Sequence, residues 1–178
     1  MYRIVSGIIT LSQHIETLRK TPQVYRPSCC PNCGLGRPWR HGFYTRKAER
    51  RPLPGNDPSV LIPRFRCAGC RLTCSRLPSC IAPRRWYSWL FQQQILQFLL
   101  MTCSLRGCSA AFSLCRSTVR RWWNWLESHS SSFEFHLRSR FSEWGRTTDR
   151  KSFWQKAMSI MPLSEIMACL DFEGVDVP

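Results

Sequence analysis

The chain has 178 residues, 43% of them apolar, which suffices for one ordinary domain or two to three small ones and excludes wholesale disorder. Its formal net charge is +15, and 22 of its 26 cationic side chains are arginine, the residue suited to bidentate phosphate and guanine contacts. Residues 19–121 hold 19 of those cations against only Glu49 and Asp57, whereas residues 122–178 carry a net −2, so a polyanion-binding surface is expected in the first two thirds, with a merely solvated basic face as the bland alternative.

Residues 1–26 form an amino-terminal segment, with a short strand and a helix expected between Ile4 and Leu18. No cleavage pattern follows Met1-Tyr2-Arg3-Ile4. The eleven cysteines are an odd number, and a reducing compartment with metal-bound and buried thiols is expected. His14-Ile15-Glu16 ahead of Cys30 and Cys33 has a faint likeness to the zinc-deaminase pattern. Against that enzyme reading, the interval is short, Pro27 is not adjacent to the first cysteine, and a second cysteine pair is left without a role.

Residues 27–83 carry the strongest signal. Cys30-Pro31-Asn32-Cys33 and Cys67-Ala68-Gly69-Cys70 are two C-x-x-C pairs, thirty-three residues apart. Each pair can grip one metal from a tight turn, and together they give four thiolates for a structural zinc. Pro31 and Gly34 shape the first turn and Gly69 is expected to ease the second. Cys29, Cys74, Cys80 and His41 are alternative ligands, the three cysteines being better read as small buried residues. Between the pairs, Trp39–Arg46 and Val60–Arg66 read as strands, Leu72–Ser75 as a short third one, and Glu49–Ser59, rich in proline, as the loop.

Residues 84–128 are expected to be a helix-turn-helix. Arg84–Met101 is a helix with Trp86, Trp89, Leu90, Leu96, Leu99 and Leu100 on one face, interrupted by glutamines. The run Trp86–Cys103 is too polar and too short to span a bilayer. Ser109-Ala110-Ala111 suits a closely packed short helix, Ser113-Leu114-Cys115 the turn, and Ser117 the cap of the next helix. There Val119, Trp122 or Trp123, and Leu126 face a core, while Thr118, Arg120, Arg121 and Asn124 face elsewhere. Arg120 or Arg121 suits guanine and Asn124 adenine; Arg116, Ser117 and Thr118 at the helix start suit phosphate. An ordinary helical hairpin with a solvated Arg-Arg face is the bland alternative. Cys103, Cys108 and Cys115 have spacings untypical of a metal site.

Residues 129–178 follow a break expected at Ser128–Ser132. Helices are expected there over Phe133–Trp144, Arg150–Met161 and Leu163–Leu170, the last started by Pro162. These helices pack on the reader helix or form a homodimer contact.

The run from Cys30 and Cys33 through Arg40-His41-Gly42, Tyr44, Arg64-Phe65-Arg66, Cys67, Cys70, Thr73 and Leu77-Pro78, continued by Ser117–Trp122, resembles the amino-terminal zinc-ribbon region of insertion-sequence transposases and related stand-alone proteins. The resemblance covers residues 28–126 and implies that ribbon and helix-turn-helix bind DNA together. Those transposases continue into a nuclease domain with three spaced acidic residues. Here the remaining acids lie between Glu127 and Asp176, too short a span for that fold.

The expectation is an α+β protein: a zinc ribbon, then a mainly α helix-turn-helix and helical tail. It is cytoplasmic, DNA-associated, neither membrane-bound nor an enzyme. Zinc is structural, double-stranded DNA the partner, and Arg40, His41, Arg64 and Arg66 are the ribbon's contacts. The competing readings are an enzyme, either a truncated transposase or a zinc deaminase, and an RNA-binding ribbon in which Trp39, Phe43 and Tyr44 stack on unpaired bases.

Overall fold

A computed structural model describes residues 3–48, 59–83, 87–102, 104–147 and 149–177. Residues 49–58 of the expected proline-rich loop, residues 84–86 of the expected first long helix and Cys103 lie outside the described residues. The architecture is α+β in two compact units, Met1–Ser88 with Asp176–Pro178, and Trp89–Val175. Among the described residues no helix is long and apolar enough to cross a membrane.

The first unit is built on a three-stranded antiparallel sheet in the order β2-β3-β4, with β2 at Trp39–Lys47, β3 at Ser59–Arg66 and β4 at Thr73–Cys74. Pro63 is tolerated in the middle strand because, among the described residues, β4 pairs only with Phe65 and Arg66 and does not reach Pro63. Val60 and Ile62 bury one cluster with Ala48, Leu77 and Ile81. Phe65 buries another with Val5, Ile8 and Tyr25. Residues 3–26 are therefore built into this unit: β1 (Ile4–Val5) pairs in parallel with β5 (Leu77–Pro78). Val177 is buried, and Arg3 pairs with Asp176 at 2.7 Å, so the carboxy-terminal residues also belong here.

Helix α1 (Leu11–Lys20) starts at a reciprocal cap in which the Thr10 hydroxyl accepts from the Gln13 N–H and the Gln13 side chain accepts from the Thr10 N–H. It turns His14 inward, fully buried. Nε2 donates to the Leu61 carbonyl at 3.0 Å, so Nδ1 carries no proton and accepts from the Tyr25 hydroxyl at 2.6 Å. Both ring nitrogens are thus in use, which leaves none for a metal and removes His14 from any deaminase-like ligand set.

Burial holds the His14 pKa below its ordinary value, with the Leu61 carbonyl opposing. Near pH 6.5 the unfolded chain therefore takes up a proton that the folded chain refuses. His14's contribution is complete above that pH and declines as pH falls below it. Urea midpoints at pH 7.5 and 5.5 should drop more for wild type than for His14→Gln; that difference separates the histidine from proton competition at the thiolates. Equal drops would remove His14 from the acid response.

The second unit is all helix: α2 (Trp89–Thr102), α3 (Leu105–Ala111), α4 (Arg116–Arg140), α5 (Arg150–Ile160) and α6 (Leu163–Phe172). Helix α2 packs against each of the other four. The glutamines that interrupt its apolar stripe join helices. Gln93 donates to the Met158 carbonyl near the end of α5 and accepts from the Leu163 N–H at the start of α6, and Gln155 reaches the Leu100 carbonyl.

The break expected at Ser128–Ser132 is absent; α4 runs through it. The serines satisfy the helix instead of leaving it. Ser128 donates to the Trp125 carbonyl, and buried Ser130 donates to Leu126 while accepting from Trp154 Nε1 at 3.0 Å. Pro162 stands at the cap of α6, directly before Leu163, where that helix is expected to begin.

Candidate metal centre and nucleic-acid interface

The two C-x-x-C turns have the same backbone. The Cys30 N–H donates to the Leu35 carbonyl and the Cys67 N–H to the Leu72 carbonyl, both five residues on. Four residues after each leading cysteine the chain enters the left-handed region, at Gly34 (φ 73) and at Arg71 (φ 60). A side chain there costs roughly 1–2 kcal/mol, and the Arg66 Nε–H to the Arg71 carbonyl at 3.1 Å helps to hold it. Gly69, expected to ease the second turn, has no left-handed φ. Its lack of a side chain makes room for Leu35 of the other turn, which a Cβ would meet at 3.1 Å.

These turns aim Cys30, Cys33, Cys67 and Cys70 at one point. Their sulfurs all lie within 4.8 Å of one another, a group that can hold a metal ion, with Cys30 to Cys70 at 3.6 Å and Cys33 to Cys67 at 3.5 Å. Backbone N–H groups of Cys33 and Asn32 pull the Cys30 thiol down to about 6. The Leu35 N–H likewise lowers Cys33. The Cys70 N–H draws Cys67 down, yet burial and the neighbouring sulfurs push it up to about 11. Four thiolates this close repel, and a cation at their centre lets all four ionise together. Of the alternative ligands, Cys74 and Cys80 are half-buried, and Cys29 is exposed rather than buried as expected.

The ribbon residues expected at DNA divide between two sheet faces. Strand β2 carries a bulge at His41-Gly42 opposite Arg64, with Gly42 at φ 85. Trp39 lies opposite Arg66, and its ring meets His41 edge-on at 5.1 Å, so Trp39, His41, Arg64 and Arg66 share a face. Arg40 points the other way, over the Phe43 ring at 4.9 Å.

In the helical unit, α3, a turn at residues 112–115 and α4 make a helix-turn-helix. Ser113 takes the left-handed position (φ 50) for which a glycine would be usual. The Ser109 hydroxyl donates to the Leu114 carbonyl at 2.6 Å and ties the turn. Helix α4 begins two residues earlier than expected, with Cys115 and not Ser117 at the cap position. Val119, Trp122 and Leu126 are buried, whereas Trp123 is not. Arg116, Ser117, Arg120, Arg121 and Asn124 are exposed and Thr118 is half-exposed. Among the described residues none of Arg116, Arg120 and Arg121 joins an ion pair, while Arg138, Arg140 and Arg150 are all matched by Glu134 or Glu173.

Fold and site together define a two-unit α+β protein with a four-cysteine cluster suited to a metal ion. The chain belongs to the family described as a domain of unknown function (DUF6431), which matches residues 30–122, just over half its length, from the first clustered cysteine to Trp122 in α4. No curated protein and no solved structure matches it.

Proposed function

We propose that this is a zinc-dependent, DNA-binding protein, cytoplasmic and DNA-associated, related to the DNA-binding end of insertion-sequence transposases. It serves as a regulator or a mobile-element accessory. Zinc suits the cluster, because sulfurs about 2.3 Å from the ion in a tetrahedron stand about 3.8 Å apart. The observation that carries the proposal is the exposed arginine face on the first turns of α4, without ion-pair partners among the described residues and opposite the buried Val119–Trp122–Leu126 stripe. Such a face suits the major groove, with arginine on guanine, Asn124 on adenine and the helix start on phosphate.

A binding role fits better than catalysis. Four thiolates leave a zinc ion no open position for water. Glu134 and Glu173 are tied up by arginines, and Asp149 caps α5. Exposed Trp39 and Phe43 favour a second reading, stacking on unpaired bases. Homodimerisation through the carboxy-terminal helices would use Ile160 and Phe172, which remain exposed after α5 and α6 are packed.

Fluorescence anisotropy with zinc-loaded protein and a random-sequence duplex tests the proposal. Affinity should fall with salt along a slope of at least about −2.7, the value for three arginines each neutralising one phosphate. Single-stranded RNA at the same salt should bind more weakly. Tighter RNA binding transfers the function to the second reading, and no duplex affinity at low salt overturns the proposal.

A further inference from the structure

Next to the metal cluster, the first unit holds a cleft of about 330 Å³. This volume lies within the range of small-ligand sites. Two arginines line it: Arg3, just ahead of β1, and Arg46 on β2. Its described lining residues include no carboxylate. Tyr44 lies two residues before Arg46 on the same face of β2 and brings a hydroxyl to the cleft, and Ser75 adds a second. Leu77 and Pro83 supply an apolar wall.

The two arginines are held differently. Arg46 is half-buried and donates to the Ala82 carbonyl, and burial destabilises its charged form. Arg3 is tethered by Asp176, whose carboxylate meets its Nη1 at 2.7 Å. Tyr44 also lies beneath the Arg64 guanidinium, 5.2 Å from its ring centroid. A cleft with two guanidinium forks, two hydroxyls, an aromatic ring and an apolar wall matches one ligand chemistry: a phosphate monoester attached to a flat, apolar-faced group.

We propose that this cleft is a second binding site, separate from the α4 face, that takes the phosphate of a nucleotide with its base against Tyr44 and Leu77. The choice of a nucleotide over other phosphate esters rests on the nucleic-acid reading above. The phosphate has two sources, a free mononucleotide or a phosphorylated strand end. Both present the same group.

Isothermal titration of the zinc-loaded full chain with deoxyadenosine 5′-monophosphate, and with deoxyadenosine, tests it. The monophosphate should bind and the nucleoside should not. Arg46→Gln and Arg3→Gln should each weaken the monophosphate by about tenfold or more, as for loss of a charged hydrogen bond. Both should leave binding of a hairpin-capped duplex, which has no free ends, unchanged. Should Arg46→Gln fail to fold, judged by zinc content and melting, Arg3→Gln carries the test, because its side chain is partly exposed.

Equal binding of nucleoside and monophosphate, or unchanged affinity in both variants, overturns the site. If the capped duplex binds wild type but the monophosphate does not, this site falls and the α4 proposal stands. The reverse result sinks the α4 proposal and keeps this one. Displacement of the monophosphate by an open, 5′-phosphorylated duplex assigns the site to strand ends; failure to displace it assigns the site to free nucleotide.

Discussion

Stripping the metal from the full chain should unfold the cysteine turns and β2-β3-β4 while the helices of the second unit persist. Beyond the backbone bonds of the turns, the sulfurs are what draw residues 30–35 and 67–72 together, and the knuckle leucines remain about half exposed, Leu35 at 48% and Leu72 at 54%. Little apolar burial therefore backs that end of the sheet. Metal binding at a structural thiolate site contributes on the order of 10 kcal/mol to folding, far more than those few contacts. The two small clusters around Ile62 and Phe65 are the opposing factor, and they decide how far unfolding spreads. Chelator titration followed by far-ultraviolet circular dichroism checks this: helical signal should survive while the thermal transition of the first unit disappears. Cys67→Ser should mimic the chelator and Cys74→Ser should not. A chelated protein that melts as before, with all four thiols freely alkylated, would falsify the structural role of the ion.

On α4, substitutions on opposite faces should separate cleanly. Trp122→Ala removes a fully buried indole that meets the Phe91 ring edge-on, and should cost about 3–5 kcal/mol of stability. Arg120→Ala and Arg121→Ala remove exposed side chains without ion-pair partners among the described residues and should leave the melting curve within about 0.5 kcal/mol. Their effect belongs to DNA, at about 1–3 kcal/mol for whichever arginine reads a base, concentrated at one position of the target site. Duplexes selected from a random pool supply that target, and paired melting and binding curves check both faces. An equal loss on every sequence would reassign both arginines to phosphate. Lost stability in the arginine variants would mean that this face is structural.

Where the sequence was legible, short-range chemistry carried the information. The C-x-x-C spacing fixes turn geometry within four residues, so the quartet and its flanking strands could be read directly. The Val119–Trp122–Leu126 spacing likewise marked the buried side of α4. Partners distant in the chain defeated the same approach. Nothing near Ser128–Ser132 announces that Trp154, twenty-four residues later, will take up the Ser130 hydroxyl. Gln93 looked like a flaw in an apolar stripe because its two partners lie 65 and 70 residues away. Residues 3–26 seemed detached because their anchors, Leu61, Phe65 and Leu77, come from the sheet. Arg3 and Arg46 drew no notice, since the cleft they share exists only after β1 and β2 have been brought together.

Because Asp176 and Val177 return to the unit that opens the chain, the helical unit is an insertion within it. On a ribosome, the helices would emerge before Asp176 and Val177, so the unit with the cysteine cluster would gain those two residues only afterwards. Breaking the Arg3–Asp176 pair would accordingly be felt in the unit that carries the cysteine cluster, although Asp176 follows the helices in the chain.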